Sequence, residues 1–127
     1  HPARPGLYIQ DGTGWDVASI THMAAIGAQV AVFTTGRGST TGHAILPVIK
    51  VTGTPATYAR MTDNMDVNAG RIVEGAASIR EVGDEIYELV LEVASGAKTK
   101  PEALGFEDFQ IYRRDRAVEN LLKECHS

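Results

Sequence analysis

The chain has 127 residues, which is enough for one compact domain with a hydrophobic core and too few for two. Its formal net charge of −4 argues against a nucleic-acid-binding surface, and no apolar run is long enough to span a membrane. Cys125 is the single cysteine and cannot form an internal disulfide, so the composition is typical of a cytoplasmic protein.

The sequence divides into three parts. Residues 1–6 are rich in proline and glycine and are interpreted as a linker. Because they lack an initiator methionine, we expect the chain to be a fragment of a longer protein or a processed form of it. Residues 7–112 form the predicted domain. Residues 113–127 form a C-terminal tail whose apolar residues have helical spacing.

The first elements predict a β–α–β unit. Leu7–Gln10 reads as a short strand, Asp16 is placed to cap a helix from Val17 to about Ala28, and Val30–Phe33 reads as a buried strand. Such a unit places its two strands parallel, so the loops that follow them emerge at the same edge of the sheet. We therefore expect Asp11, Asp16 and the Thr34–His43 loop to converge on one crevice.

The Thr34–His43 loop contains five hydroxyl side chains, three glycines and Arg37. Glycines permit close backbone approach, and hydroxyls with a guanidinium suit an anionic, oxygen-rich ligand. The glycine spacing matches neither a P-loop nor the dinucleotide fingerprint. We interpret this segment as a ligand-binding loop, and a mobile surface loop is the alternative.

Residues 45–52 predict a third strand that contains Lys50 in an otherwise apolar run. Lys50 either lies on an edge strand and faces solvent or reaches a bound anion. Gly53–Pro55 fits either a turn or the start of a helix with Pro55 at its first position, and a short helix through Tyr58 to Met61 follows. The next segment, Met61–Gly70, is rich in carboxylates and amides, but its spacing does not match a calcium-binding EF-hand loop.

The clearest helix runs from Ile79 to about Ala94, with an apolar stripe that begins at Ile79. Ser78 and Glu81 have the spacing of a capping box at its start. Residues 97–102 read as a polar loop, and Phe106–Tyr112 as an edge strand. Together these elements predict an α/β fold with a Rossmann-like open, mostly parallel sheet flanked by helices.

Several segments together resemble one family, the altronate and galactarate dehydratases with related sulfolactate sulfo-lyases, in the C-terminal domain. The segments are Asp11–Asp16, Ser19–Thr21, Phe33–Ser39, Met61–Gly70 and Ala94–Lys100. The sequence of Phe33–Ser39, Phe-Thr-Thr-Gly-Arg-Gly-Ser, is the same as that of the family. Thr13, His22 and Asn64 stand where the family pattern has proline, glycine and aspartate.

The resemblance implies a lyase that removes water from a polyhydroxy acid such as altronate or galactarate and gives a 2-keto-3-deoxy acid. It also implies a divalent metal, usually Fe²⁺, with Mn²⁺ or Mg²⁺ as alternatives. The expected partners are a small sugar acid, the remaining domains of the same enzyme and a second copy in a homo-oligomer. The alternatives are a sulfolactate sulfo-lyase-type elimination, a non-catalytic sugar-acid-binding domain and an assembly domain.

On this hypothesis, the loop and the Met61–Gly70 segment supply the substrate-binding residues. Arg37 binds a substrate carboxylate, and threonine and serine hydroxyls bind substrate hydroxyls. The predicted substrate-binding residues are Thr34, Thr35, Gly36, Arg37, Gly38, Ser39 and Asn68.

Removing a proton next to a carboxylate and releasing a hydroxyl requires a base, an acid and stabilisation of the developing charge. The predicted catalytic residues are His43, His22 and Lys50. The predicted metal ligands are Asp16, Asp63 and Asp66.

Overall fold

The computed structural model describes residues 2–12 and 14–110 of the chain. In chain order these residues form α1 (Asp16–Ala25), β1 (Ala31–Thr35), β2 (Val48–Thr52), α2 (Pro55–Arg60), β3 (Val67–Asn68), a 3₁₀ helix (Ala69–Ile72), α3 (Ile79–Ala94) and α4 (Lys100–Ala103). The three strands are parallel and lie in the order β1–β2–β3. The predicted α/β class with an open parallel sheet is confirmed.

The central strand, β2, is buried along its whole length because it pairs on both sides and is covered on both faces. Its alternate residues contribute to two apolar clusters. The first joins the sheet to α3 and contains Ile49, Val51, Val67, Val82 and Val93. The second joins the sheet to α1 and contains Ile20, Ala31, Leu46 and Val48. Burial of each large aliphatic side chain contributes roughly 1.5–3 kcal/mol, so the two clusters hold the helices against the sheet.

Helix α3 begins and ends where the sequence predicts. The Ser78 hydroxyl accepts a hydrogen bond from the Glu81 backbone N–H, and the Glu81 carboxylate accepts one from the Ser78 backbone N–H. This reciprocal pair is the predicted capping box. Ile79, predicted as part of the apolar stripe, is instead 77% exposed, so the buried face begins at Val82.

The predicted first strand, Leu7–Gln10, is wrong, and so is the β–α–β opening that depended on it. The segment has no strand partner among residues 2–12 and 14–110, and Leu7 and Ile9 are each 97% exposed. An apolar stretch becomes a strand only when it shares backbone hydrogen bonds with a neighbouring strand, and no strand of the described residues does so. A β–α–β unit forms later in the chain, from β2, α2 and β3.

Other boundaries also differ from the predicted ones. Trp15, not Asp16, is the N-cap of α1, and this helix ends at Ala25, before Gly27 adopts a φ of 95°. Helix α2 begins at Pro55, which confirms the helix start as the correct alternative for Gly53–Pro55, and it ends at Arg60. The β3 strand and the α4 helix lie in segments predicted as irregular. The α4 helix has its own capping box between Thr99 and Glu102.

No strand forms over residues 106–110, where an edge strand was predicted. The rest of that segment and the C-terminal tail with its predicted helix lie outside the described residues. No helix within the described part of the chain has the length and apolar character needed to cross a membrane.

Candidate functional site

The carboxyl ends of the three parallel strands lie at one edge of the sheet, where open α/β folds bind ligands. The last residues of the strands are Thr35, Thr52 and Asn68. A cavity of about 400 Å³ opens at this edge, and its lining residues are Thr34, Thr35, Gly36, Val51, Gly53, Thr54 and Ala69. Three of the predicted substrate-binding residues therefore line one cavity.

The backbone of Gly36–Gly38 is held in place by contacts to α2 and β1. The Thr57 hydroxyl donates a hydrogen bond to the Gly36 carbonyl oxygen at 2.9 Å. Arg60 Nη2 donates to the Arg37 carbonyl oxygen at 3.3 Å, and the Gly38 N–H donates to the Thr35 hydroxyl at 3.1 Å. These bonds fix the backbone on either side of the Arg37 side chain, which is exposed.

Gly38 is required by both its conformation and its surroundings. Its φ is 91°, a region that residues with a Cβ rarely occupy. An added Cβ would lie 2.3 Å from Met61 Sδ and 3.1 Å from Thr57 Cγ2. The close packing of this loop on α2 therefore depends on a glycine at this position.

Asn68 and Gly70 lie at the end of β3 and in the turn that follows it, at the carboxyl edge of the sheet. The Asn68 side-chain oxygen accepts a hydrogen bond from the Gly70 N–H at 3.0 Å and caps the 3₁₀ helix. An added Cβ at Gly70 would lie 2.4 Å from Pro55 Cδ, so the start of α2 packs directly on this turn. The side-chain oxygen of Asn68 therefore has a structural role in addition to its predicted role in binding substrate.

The second half of the loop leads away from this edge. The Ser39 hydroxyl donates to the Thr41 hydroxyl at 3.0 Å, within the loop itself. His43 is buried near the amino end of β2, and its Nδ1 accepts a hydrogen bond from the Ile45 N–H at 3.4 Å. It lines a separate cavity of about 380 Å³ together with residues 44–47, Lys98, Glu102 and residues 105–107.

His22 lies on α1 and lines a third cavity, of about 300 Å³, together with Gln10, Gly12, Ser19 and Met23. The single crevice predicted from the β–α–β unit is therefore wrong for the second half of the loop, because Thr34–Gly36 and His43 line different cavities. The physical reason is that the loop after β1 runs back along the sheet to begin β2 at its opposite end.

Lys50 lies in the middle of the central strand and is fully buried, so the predicted alternative of a solvent-facing edge strand is wrong. Its ammonium group lies 4.2 Å from the centroid of the Phe33 ring and has no hydrogen-bond partner among the described residues. Burial lowers the pKa of Lys50 from 10.5 to about 8, although the carboxylates of Asp16, Asp66 and Asp108 act in the opposite direction.

Asp66 has both carboxylate oxygens occupied by backbone donors. The Lys50 N–H donates to one oxygen at 2.7 Å, and the Lys100 N–H donates to the other at 3.0 Å. Asp66 thus joins the sheet to the start of α4. Asp16 and Asp63 are exposed, and residues 2–12 and 14–110 contain no group of three potential metal-ligating side chains. The described residues therefore do not fit the predicted metal site.

Thr57, Arg60 and Met61 were not among the predicted site residues, although they position the Arg37 loop. They have i, i+3, i+4 spacing, which places them on one face of a helix. The spacing of these three residues is visible in the sequence. The sequence does not show that this face of the helix contacts the Arg37 loop.

Comparison with known proteins identifies the family. A family described as D-galactarate/altronate dehydratase, C-terminal, matches residues 1–117. The chain is 35% identical over 112 residues to the (2R)-sulfolactate sulfo-lyase subunit beta of Chromohalobacter salexigens, covering 88% of this chain and 29% of that protein. It is 40% identical over 97 residues to the galactarate dehydratase (L-threo-forming) of Escherichia coli K12, covering 76% of this chain and 18% of that protein.

The altronate dehydratase of Bacillus subtilis 168 is 32% identical over 108 residues, covering 85% of this chain and 22% of that protein. The chain thus spans less than a third of the length of each of these relatives. The family match, the parallel sheet and the glycine-rich loop at its carboxyl edge agree: this chain belongs to the family of C-terminal domains of galactarate and altronate dehydratases.

Proposed function

We propose that this chain binds a sugar acid as part of a lyase that dehydrates a polyhydroxy acid such as galactarate or altronate to a 2-keto-3-deoxy acid. The observation that carries this proposal is the Gly36–Gly38 backbone, which is fixed on α2: Gly36 lines a cavity together with Thr34, Thr35 and Thr54, and the exposed Arg37 is the next residue in the chain. A guanidinium binds a carboxylate through two parallel hydrogen bonds, and hydroxyls bind the adjacent substrate hydroxyls.

On this proposal, Arg37 anchors the carboxylate and thereby orients the neighbouring carbon that loses its proton. Thr34 and Thr35 line the cavity and supply hydroxyls for the sugar chain. When the α-proton leaves, additional negative charge develops on the carboxylate oxygens. The Arg37 guanidinium, bound to that carboxylate, stabilises this charge. These residues bind and orient the substrate.

We propose His43, His22 and Lys50 as the candidates for proton transfer. His43 and His22 have the side-chain chemistry for acid–base catalysis, but they line other cavities. Lys50 is fully buried two residues before the end of β2. We propose to rank the three by the effects of His43→Gln, His22→Gln and Lys50→Met on the turnover of the whole enzyme.

A divalent cation, with Fe²⁺ first and Mn²⁺ or Mg²⁺ as alternatives, is also a proposal. When bound, such an ion would stabilise the enediolate that forms next to the substrate carboxylate. Asp66 is committed to two backbone N–H groups, so we assign no step to the cation within these residues.

A related elimination from sulfolactate is the second candidate. The observation in its favour is the 35% identity to a sulfolactate sulfo-lyase subunit over 88% of this chain. A guanidinium binds a sulfonate through the same paired donors that it offers a carboxylate.

The remaining proposals concern the cellular location of the protein and its partners. We propose a cytoplasmic location and no nucleic-acid partner, because the chain has one cysteine and a net charge of −4. We further propose association with other domains of the same enzyme or with a second copy. Leu7, Ile9 and Trp15 are apolar and at least three-quarters exposed, and they are the residues that such a contact would cover.

The function is tested by calorimetric titration of the chain with galactarate, altronate and sulfolactate, with and without Fe²⁺ or Mn²⁺. We expect binding of at least one acid and a loss of roughly tenfold or more in affinity for Arg37→Ala, because a charge-assisted pair is removed. Arg80→Ala, at an exposed arginine on α3, is the matched control. An Arg37→Ala variant with unchanged affinity would remove the proposed carboxylate anchor.

A further inference from the structure

We propose that the Thr54 hydroxyl binds one hydroxyl group of the acid, which makes this residue a specificity determinant for the pattern of hydroxyls along the ligand. The inference rests on the proposed function, because Thr54 lines the same cavity at the carboxyl edge of the sheet. It adds a residue from the connection between β2 and α2. None of the substrate-binding residues predicted from the sequence lies in that connection.

The lining residues of this cavity are all uncharged. Thr34, Thr35 and Thr54 carry hydroxyls, and the others are glycines, an alanine and a valine. A hydroxyl both donates and accepts, so it pairs with a ligand hydroxyl in either direction. A carboxylate pairs best with a guanidinium or an ammonium group, and no lining residue carries one. The cavity is therefore suited to the uncharged, hydroxyl-bearing carbons of an acid.

Within residues 2–12 and 14–110, the Thr54 hydroxyl is not used by the protein itself. Thr54 is the N-cap of α2, where a threonine hydroxyl commonly accepts a hydrogen bond from the first turn, but its side chain makes no such bond. The hydrogen bonds of Thr54 come from its backbone. Its N–H donates to the Thr52 hydroxyl at 3.2 Å, and its carbonyl oxygen accepts from the Thr57 and Tyr58 N–H groups. The hydroxyl is therefore left for a ligand.

Neighbouring contacts fix the position of Thr54. Thr52, which accepts its N–H, is a fully buried residue of the central strand. The Gly53 N–H donates to the Thr35 carbonyl oxygen at 3.3 Å, so the connection is also joined to the end of β1. A Cβ added to Gly36 would lie 3.8 Å from Thr54 Oγ1, which places the hydroxyl on the side of Gly36 that has no side chain. A ligand therefore meets a partner whose backbone is already ordered.

The alternative is that Thr54 only shapes the turn before α2. A structural role predicts that loss of the hydroxyl lowers stability and weakens the binding of every acid by a similar factor. A ligand-binding role predicts unchanged stability. It also predicts that the loss of affinity disappears for an acid that lacks the matching hydroxyl.

Altronate and the four acids that each lack one of its secondary hydroxyls form a matched series of probes. We would titrate the unmodified chain and its Thr54→Val, Thr54→Ala and Thr54→Ser variants with each acid by calorimetry, and measure stability by urea unfolding. Valine and alanine remove the hydroxyl with and without the branched shape, and serine keeps the hydroxyl. Ser78→Ala is the control, because Ser78 is the N-cap of α3 and its hydroxyl accepts a bond from the Glu81 N–H at 3.2 Å.

We expect Thr54→Val and Thr54→Ala to bind altronate roughly three- to tenfold more weakly than the unmodified chain, because one neutral hydrogen bond is lost. For one of the four deoxy acids, these variants and the unmodified chain should have affinities within about twofold of one another. Thr54→Ser should bind altronate nearly as tightly as the unmodified chain. The urea midpoint should be unchanged in the Thr54 variants and lower in Ser78→Ala, whose affinity for altronate should not change.

An equal loss for altronate and all four deoxy acids overturns the role of Thr54, and so does an affinity that is unchanged in both Thr54→Val and Thr54→Ala. Either result leaves the proposed function standing. An unmodified chain that binds galactarate or sulfolactate but not altronate overturns only this inference. Binding of none of the three acids overturns this inference and the acid-binding function together.

Discussion

The Thr57 hydroxyl on α2 donates a 2.9 Å hydrogen bond to the Gly36 carbonyl oxygen, joining two parts of the chain that are 21 residues apart. The bond is partly buried: Thr57 is 4% exposed, whereas Gly36 lies on the surface. It connects the helix after β2 to the loop after β1, which carries Arg37.

Thr57→Val should destabilise the chain and weaken acid binding. Valine keeps the shape but leaves the Gly36 carbonyl without its donor, which costs about 1–2 kcal/mol. Urea unfolding measures the loss of stability, and titration with the tightest-binding acid measures the effect on the site. Thr62→Val is the control, because the exposed Thr62 hydroxyl donates to the Tyr58 and Ala59 carbonyl oxygens at the end of α2 and does not contact the Arg37 loop. Equal effects of the two substitutions would contradict the role given to Thr57.

Gly38→Ala should destabilise the chain more than the substitution of another glycine at the carboxyl edge of the sheet. The backbone at φ 91° strains any residue with a Cβ, and the new methyl group would meet Met61 and Thr57. We expect a loss of roughly 1–3 kcal/mol in the free energy of unfolding and a clear loss of acid binding. Gly53→Ala is the matched control, because no atom lies within 4 Å of its added Cβ. A Gly38→Ala variant as stable as Gly53→Ala would show that the loop does not pack as described.

Asp66→Asn distinguishes a structural carboxylate from a metal ligand. An asparagine has one acceptor oxygen, so one of the Lys50 and Lys100 backbone N–H groups would lose its partner and face an NH₂ group. The expected cost is about 1–3 kcal/mol without added metal, measured by urea unfolding in the presence of a chelator. Asp63→Asn, at an exposed position, should cost little. If Asp66→Asn changed stability only when Fe²⁺ or Mn²⁺ was present, Asp66 would be a metal ligand instead.

Lys50 should make stability depend on pH in the alkaline range. Its pKa is about 8 in the folded chain and near 10.5 when unfolded, so between these values the unfolded state binds more protons. The free energy of unfolding must then rise as the pH increases from 8 to 10.5, and the total rise is at most about 3 kcal/mol.

Lys50→Met removes this dependence, and the difference between the two proteins isolates it from other titrating groups. We expect the variant to be as stable as the unmodified chain or more so at pH 7, because a buried charge is replaced by an apolar side chain. The unmodified chain should gain on the variant between pH 8 and pH 10 in urea titrations. Parallel pH profiles would mean that the Lys50 pKa is not lowered.

Local signals explain why some elements were predicted accurately. Helix α3 has a capping box, a regular apolar stripe and no internal proline, and all of these act within a few residues of one another. The loop after β1 was predicted to bind a ligand because its glycines, hydroxyls and arginine occur together in the sequence. In both cases the prediction depends only on residues that are close together in the sequence.

Leu7–Gln10 and Lys50 show where local signals fail. The first has the composition of a strand but lacks a partner, whereas the second is a charged residue in the most buried strand. A strand is defined by the neighbour that accepts its hydrogen bonds, and burial is defined by what covers the sheet. Neither property belongs to the segment itself.

The amino-acid sequence by itself determined the family, the α/β class, the long capped helix and the loop that carries Arg37. Only the tertiary structure decided that β2 is central, that His22 and His43 line other cavities, and that Arg60 lies against the Arg37 backbone. The physical reason is that these relationships come from contacts between residues far apart in the chain, which depend on how the helices and strands pack together.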